Sequence, residues 1–206
     1  MIMADSYFLE GNTRTREIQM KKTDKEWRKD GYLLRLSRRE DAENYYTQNF
    51  CPLDAEVIRL TGSRQSYTRE EVVGFFLQCV QAEDRYDFLL IAGDGRIVGE
   101  SVINEIDWEA RSGNFRIVIF QPDAQGKGLG SWAVQVTRDF AFEELKLHRL
   151  SLDVFSFNER ARKAYLAAGF REEGVLKNAV LDGEEYADDI LMAILEEEWR
   201  ALNGKV

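Results

Sequence analysis

From Tyr32 onward, the spacing of apolar positions alternates between a strand-like period of two and a helical period. Tyr32–Leu36 reads as a strand. Ser37 stands where a helix cap belongs, with Glu40 completing a capping box, and predicts a helix through about Gln48. Asp54–Leu60 predicts a short helix. Thr68 caps another, with Val72, Val73, Phe76, Leu77 and Val80 on one face. Three strands follow: Tyr86–Ala92, Arg96–Asp107 and Gly113–Phe120. Asp94-Gly95 supplies a tight turn between the first two, and Arg111-Ser112-Gly113 leads into the third, which makes an antiparallel meander.

The grammar then changes. A glycine-rich loop over Gln121–Gly130 enters a helix carrying Leu129, Trp132, Ala133, Val136 and Phe140 on one face. Arg149–Val154 alternates as a strand. Asn158 opens a helix to about Ala168 that Gly169 closes. Phe170–Val180 and Glu185–Ile194 are strands around the turn Asp182-Gly183. The order is βααα, a β-meander, then βαβαββ, which predicts an α/β fold with a mixed sheet. Residues 1–30 show no such period. Ser6–Leu9 and Thr13–Met20, around Gly11-Asn12, are a hairpin candidate with poor alternation. We read 1–30 as an N-terminal extension, in which a dimerisation arm or a pocket lid is as compatible as disorder, and 31–206 as one domain.

Length and composition narrow the classes. The chain has 206 residues, 44% of them hydrophobic, enough for one well-packed domain. Its net charge of -9 disfavours nucleic acid and anionic membrane surfaces and favours cationic partners such as polyamines or basic peptides. No apolar run approaches the length of a membrane span, and no basic-then-apolar leader stands at the N-terminus, so a cytoplasmic protein is expected. Cys51 and Cys79 lack metal-ligand spacing, and His148 is the only histidine, so no metal is expected.

The chemistry concentrates in Gln125-Gly126-Lys127-Gly128-Leu129-Gly130. Glycines at alternate positions before a helix let the backbone approach a phosphate, and the helix start offers free N–H groups. A Walker loop is excluded, because Lys127 is followed by Gly128. Gly128, Gly130 and Ala133 do satisfy a dinucleotide fingerprint, with Asp153 downstream. However, the strand ends near Phe120, too far upstream, and the preceding strands form hairpins rather than parallel βαβ units.

With Phe120-Gln121-Pro122-Asp123 before it, this loop resembles the acetyl-CoA signature Q/R-x-x-G-x-G/A of the GCN5-related N-acetyltransferase family. Asn158-Glu159-Arg160-Ala161, Tyr165 and Gly169-Phe170 are similar to its second element, N-x-x-A-x-x-x-Y-x-x-x-G-F. The likeness covers about residues 31–195 and looks closest to the ribosomal-protein-alanine and spermidine acetyltransferase branches. It implies a mostly antiparallel sheet flanked by helices with a βαβ cofactor unit, and an enzyme acetylating a primary amine of a small molecule or a protein N-terminus. A noncatalytic acetyl-CoA-binding module is the alternative; the dinucleotide match alone supports an oxidoreductase.

The resemblance also implies roles. The strand ending at Ile119-Phe120 would splay from its neighbour to hold the pantetheine, and Gln125 and the amides of Gly126, Lys127, Gly128, Leu129, Gly130 and Ser131 would hold the pyrophosphate. Asn158 and Arg160 would contact the cofactor. Asn158 and Tyr165 lie two helical turns apart and share a face. By spacing alone Tyr165 is a packing residue; the family motif makes it the acid that protonates the departing thiolate. Glu105 is the first candidate for the base, alternating with Asp107 on one strand face, with Glu100, Asp188 and Asp189 behind it. His148 reads as a surface or capping residue.

Overall fold

The structure is a computed structural model and describes residues 23–204, so the hairpin candidate over residues 6–20 lies outside the described residues. The first element among the described residues is a strand, β1 (Glu26–Lys29), in a segment to which the periodicity assigns nothing. It pairs antiparallel with β2 (Tyr32–Leu36) across Asp30-Gly31, whose φ values of 48° and 82° make the primed turn that Asp-Gly favours. Trp27 of β1 reaches Phe88 and Phe140 edge-on, at centroid distances of 5.6 and 5.9 Å.

The helix after β2 starts later than Ser37 and Glu40 predict. The Ser37 amide is taken by the Asp87 carbonyl at 2.8 Å, and the cap is Asp41, which accepts from the Arg38 amide at 2.8 Å and from both Arg35 nitrogens at 2.7 Å. A 3-10 turn, Arg39–Asp41, therefore precedes α1 (Ala42–Asn49). Asp54 caps α2 (Ala55–Thr61), and the Thr68–Glu71 capping box starts α3 (Arg69–Gln81).

Next come β3 (Tyr86–Ile91), β4 (Ile97–Asp107) and β5 (Ser112–Ile119), as the meander predicts. The chain continues through α4 (Leu129–Glu143), β6 (Arg149–Phe155), α5 (Glu159–Ala167), β7 (Arg171–Asp182), β8 (Glu185–Leu195) and α6 (Glu196–Leu202). Among the described residues, eight strands form one sheet in the order β1-β2-β3-β4-β5-β6-β8-β7. Only β5 and β6 run parallel; every other neighbouring pair is antiparallel.

Side chains alternate between two cores. One, on the face under α4, α5 and α6, buries Phe88, Phe115, Phe142 and Phe170 completely, each contributing roughly 1.5–3 kcal/mol. The other joins Ala42, Tyr45, Val57, Val72 and Phe76 of α1–α3 to Leu89, Ile97 and Phe120. Among the described residues no helix is long and apolar enough to cross a membrane.

Candidate active site

The parallel pairing of β5 with β6 stops after three residues. Ser112, Gly113 and Asn114 face Arg149, Leu150 and Ser151, and beyond them each strand pairs only with its other neighbour. From Phe115 to Ile119, the edge of β5 that faces away from β4 looks into a cleft rather than at a strand. The cleft opens into a cavity of about 950 Å³ that runs from the start of α4 to the underside of α1–α3.

At one end stands the glycine loop. Gln121 anchors it, its side-chain amide donating to the Gln48 carbonyl at 2.8 Å and to Asn49 Oδ1 at 3.0 Å. Gly126 and Gly128 adopt φ of 71° and 74°, a region costly for any residue with a Cβ. Gly128 occupies the cap position of α4, so no side chain competes for the first-turn amides. Gly126, Gly128, Leu129, Gly130 and Ser131 all line the cavity, and the arrangement fits a pyrophosphate. Gln125 braces the loop: its amide donates to the Ile119 carbonyl at 3.3 Å and its oxygen accepts from Arg160 at 2.8 Å. Ile119, Phe120, Gln125 and Arg160 line the cavity too. Lys127 does not. It lies between the two left-handed glycines with its ammonium turned to the Tyr32 hydroxyl, 3.4 Å away.

Asn158 and Tyr165 project from α5 into the same cavity. The Asn158 side-chain oxygen caps the helix by accepting from the Ala161 amide at 3.2 Å, which leaves its NH₂ group for a ligand. Tyr165 is buried, with its ring edge-on to Phe115 at 6.1 Å. Burial, with the nearby Asp153 carboxylate, holds its phenol protonated well above the usual tyrosine range. No group among the described residues hydrogen-bonds that hydroxyl.

Glu105 falls outside this assembly. β4 carries a bulge between Asn104 and Asp107, and Glu105 sits in it with φ of 53°, exposed, its carboxylate accepting from the Asn104 side chain at 3.1 Å. Asp107 closes the following turn by accepting from the Glu109 and Ala110 amides. Of the candidate bases, the one that lines the cavity is Glu100, five residues earlier and before the bulge; Glu70, Glu71, Asp87 and Asp153 line it as well. Glu100 is half-buried, and the Tyr45 hydroxyl donates to its Oε2 at 2.7 Å. Burial pushes its pKa up, opposed by the Tyr45 hydrogen bond; Asp87 adds to the rise, and Arg116 counters it.

The remaining candidates lie elsewhere. Asp188 is held by Lys177 at 2.7 Å and by the Asn178 amide, and neither it nor Asp189 lines the cavity. His148 is exposed, its amide bonded to the Arg111 carbonyl. Cys79 borders the cavity, but burial pushes its thiol up to about 11, away from thiolate chemistry.

A splayed parallel pair, a glycine loop at a helix start and a tyrosine on the following helix thus converge on one cavity. Residues 32–171 match the acetyltransferase (GNAT) domain family. The chain belongs to that family. Among its relatives is the spermidine N(1)-acetyltransferase of Escherichia coli strain K12, 33% identical over 121 residues, 59% of this chain. The match spans 63% of that enzyme's length. Among solved structures, the ribosomal-protein-S5-alanine acetyltransferase of Vibrio fischeri superposes with a TM-score of 0.74 at 25% identity, over 85% of this chain and 99% of that one. The spermidine N-acetyltransferase of Vibrio cholerae, solved with CoA and spermine, shares the fold with a TM-score of 0.73 at 24% identity, over 83% and 99%.

Proposed function

We propose that this protein transfers the acetyl group of acetyl-CoA to a primary amine. The observation that carries the reading is the single cavity joining the β5–β6 cleft, the α4 N-terminus and Tyr165. Acetyl-CoA supplies a thioester whose carbonyl carbon accepts the amine. The amides of Gly126, Gly128, Leu129, Gly130 and Ser131 hold the pyrophosphate, braced by Gln125 and Arg160. The free edge of β5 from Phe115 to Ile119, with the Asn158 NH₂, aligns the pantetheine arm and polarises the carbonyl.

A new C–N bond forms as the C–S bond breaks, and two protons leave the substrate ammonium. Glu100 takes one and passes it to solvent. The other balances the proton that Tyr165 gives to the departing sulfur, after which the phenol is restored. The Tyr165 phenol, held protonated by burial, enters the reaction in the form that donates. The relatives' names, a spermidine and a ribosomal-protein-alanine acetyltransferase, support an amine as acceptor and differ in which one.

The test is thiol release from acetyl-CoA against spermidine, aminoglycosides, free amino acids and Ala- or Ser-starting peptides. Tyr165→Phe should lower kcat by about 100-fold or more while CoA affinity stays near wild type. Absence of CoA binding in the wild type would overturn the reading, as would an undiminished kcat in the variant for Tyr165's role.

A further inference from the structure

Four guanidinium groups line the cavity, and three have partners. Arg64 bonds Glu71 at 3.0 Å, Arg85 bonds Asp87 at 2.6 Å, and Arg160 bonds Gln125 at 2.8 Å. The fourth, Arg116, makes no hydrogen bond or ion pair among the described residues, although it is an exposed cation at the wall of a half-enclosed space. Five donors without an acceptor, beside the strand edge where the acyl group would lie, ask what they are kept free for.

The register of the sheet answers part of that question. Arg116 stands opposite Val102, and Glu100 stands opposite Val118. Arg116 and Glu100 are therefore diagonal neighbours on the face under α1–α3, with Cα atoms roughly 7–8 Å apart. They form no ion pair with each other, and the Glu100 carboxylate is bonded instead by Tyr45. A cation and an anion held side by side but unpaired complement a ligand carrying the opposite pair. Toward α1–α3 the cavity is lined by the apolar Phe50, Leu53, Val57 and Phe76, and its nearby carboxylates Glu71 and Asp87 are already paired with Arg64 and Arg85.

We propose that the acceptor is an α-amino acid with an apolar side chain, its ammonium held by Glu100, its carboxylate clamped by Arg116, and its side chain packed under α1–α3. This rests on the acetyltransferase reading and names the acceptor class within it. An α-amino acid carries its two charges a few ångströms apart, which suits neighbouring residues on one sheet face. A guanidinium can take a carboxylate through two parallel hydrogen bonds, so it selects for that group by geometry as well as charge. A polyamine would meet an unpaired cation at the same place, which counts against it.

The test compares kcat/KM for L-leucine, L-phenylalanine and L-methionine with that for their carboxamides and for spermidine. Wild type should favour each free acid over its amide by about 10- to 100-fold, the range expected for one charge-assisted contact. Arg116→Gln should erase that preference, mainly through KM, and Arg116→Lys should restore part of it. Amides turned over as well as acids by the wild type would overturn the proposal, as would a spermidine preference that Arg116→Gln leaves unchanged. If no acceptor is turned over, thermal shift with CoA present decides: a leucine-dependent rise in wild type, lost in Arg116→Gln, supports it, and no rise overturns it. A CoA-dependent shift retained in the variant shows that it folds. Failure of CoA to bind the wild type would instead sink the acetyltransferase reading on which the proposal stands.

Discussion

As the proposed base, Glu100 must ionise while half-buried, and the two demands pull its proton in opposite directions. Burial, its largest influence, holds its pKa above the ordinary carboxylate value, so the folded protein releases this proton at higher pH than the unfolded chain does. As a base it works only when deprotonated. The acid limb of kcat/KM against pH should therefore lie above the usual carboxylate range, and Glu100→Gln should lower the rate and remove that limb. The same shift acts on stability with a definite sign. A raised folded pKa leaves the contribution intact below the unfolded value and loses it as pH rises through the folded one. Glu100→Gln should then melt higher than wild type at neutral pH, with the difference shrinking in acid; a lower melting temperature at neutral pH would refute this. Sequence spacing exposes the other end of the chemistry more readily than this one. Asn158 and Tyr165 share a helical face because seven residues make two turns, so the shared cavity follows from counting. Glu105 misleads because the bulge after Asn104 breaks strand alternation, and alternation is all a sequence offers there. The partner that singles out Glu100, Tyr45 from α1, is distant in the chain.

Two glycines show how an element can be built around a ligand or around its neighbour. Gly128 has φ of 74° with open space where a Cβ would stand, so Gly128→Ala costs only the backbone term, roughly 1–2 kcal/mol. Its effect should fall on the first turn of α4 and weaken CoA binding, measurable by calorimetry. Gly99 has an ordinary φ, but a Cβ there would stand 2.6 Å from the Val118 carbonyl oxygen, which is backbone and cannot step aside. Gly99→Ala should destabilise by roughly 1–3 kcal/mol, as overpacking does, and displace the β5 edge that faces the cleft. If Gly99→Ala melts as wild type does, the two strands are less tightly coupled than this contact implies. At this scale most of the fold is legible. The α3 capping box, the meander and the two closing strands all follow from local pattern. Two departures share a cause: β1 and the start of α1 are fixed from outside their own segments. Trp27 of β1 packs against Phe88 and Phe140, and Asp41 turns to Arg35, so short-range periodicity carries no trace of either.

At the scale of the molecule, one sheet is divided by its own cleft. The halves meet through three residue pairs of β5 and β6 and through the core shared by α4 and α5. A ligand lying along the β5 edge would bridge them. With CoA at 100 times its dissociation constant, linkage adds roughly 2.7 kcal/mol. For a chain of this size that corresponds to a rise in melting temperature of roughly 5–11 °C. Hydrogen exchange should locate the effect. The outward amides of residues 115–119 should exchange quickly without ligand and slowly with it, while those bonded to β4 stay protected throughout; equal protection in both states would refute the bridging. The cleft has one further consequence, for how this protein can change over generations. In the proposed reading the donor is held mainly by main-chain groups, whereas the acceptor meets side chains such as Glu100, Arg116 and Tyr45. Most substitutions alter side chains and leave the main chain in place. Acceptor preference is therefore free to drift while donor use persists, and mutational tolerance mapped along the chain should be lowest at Gly126 and Gly128 and high at the neighbouring β5 side chains.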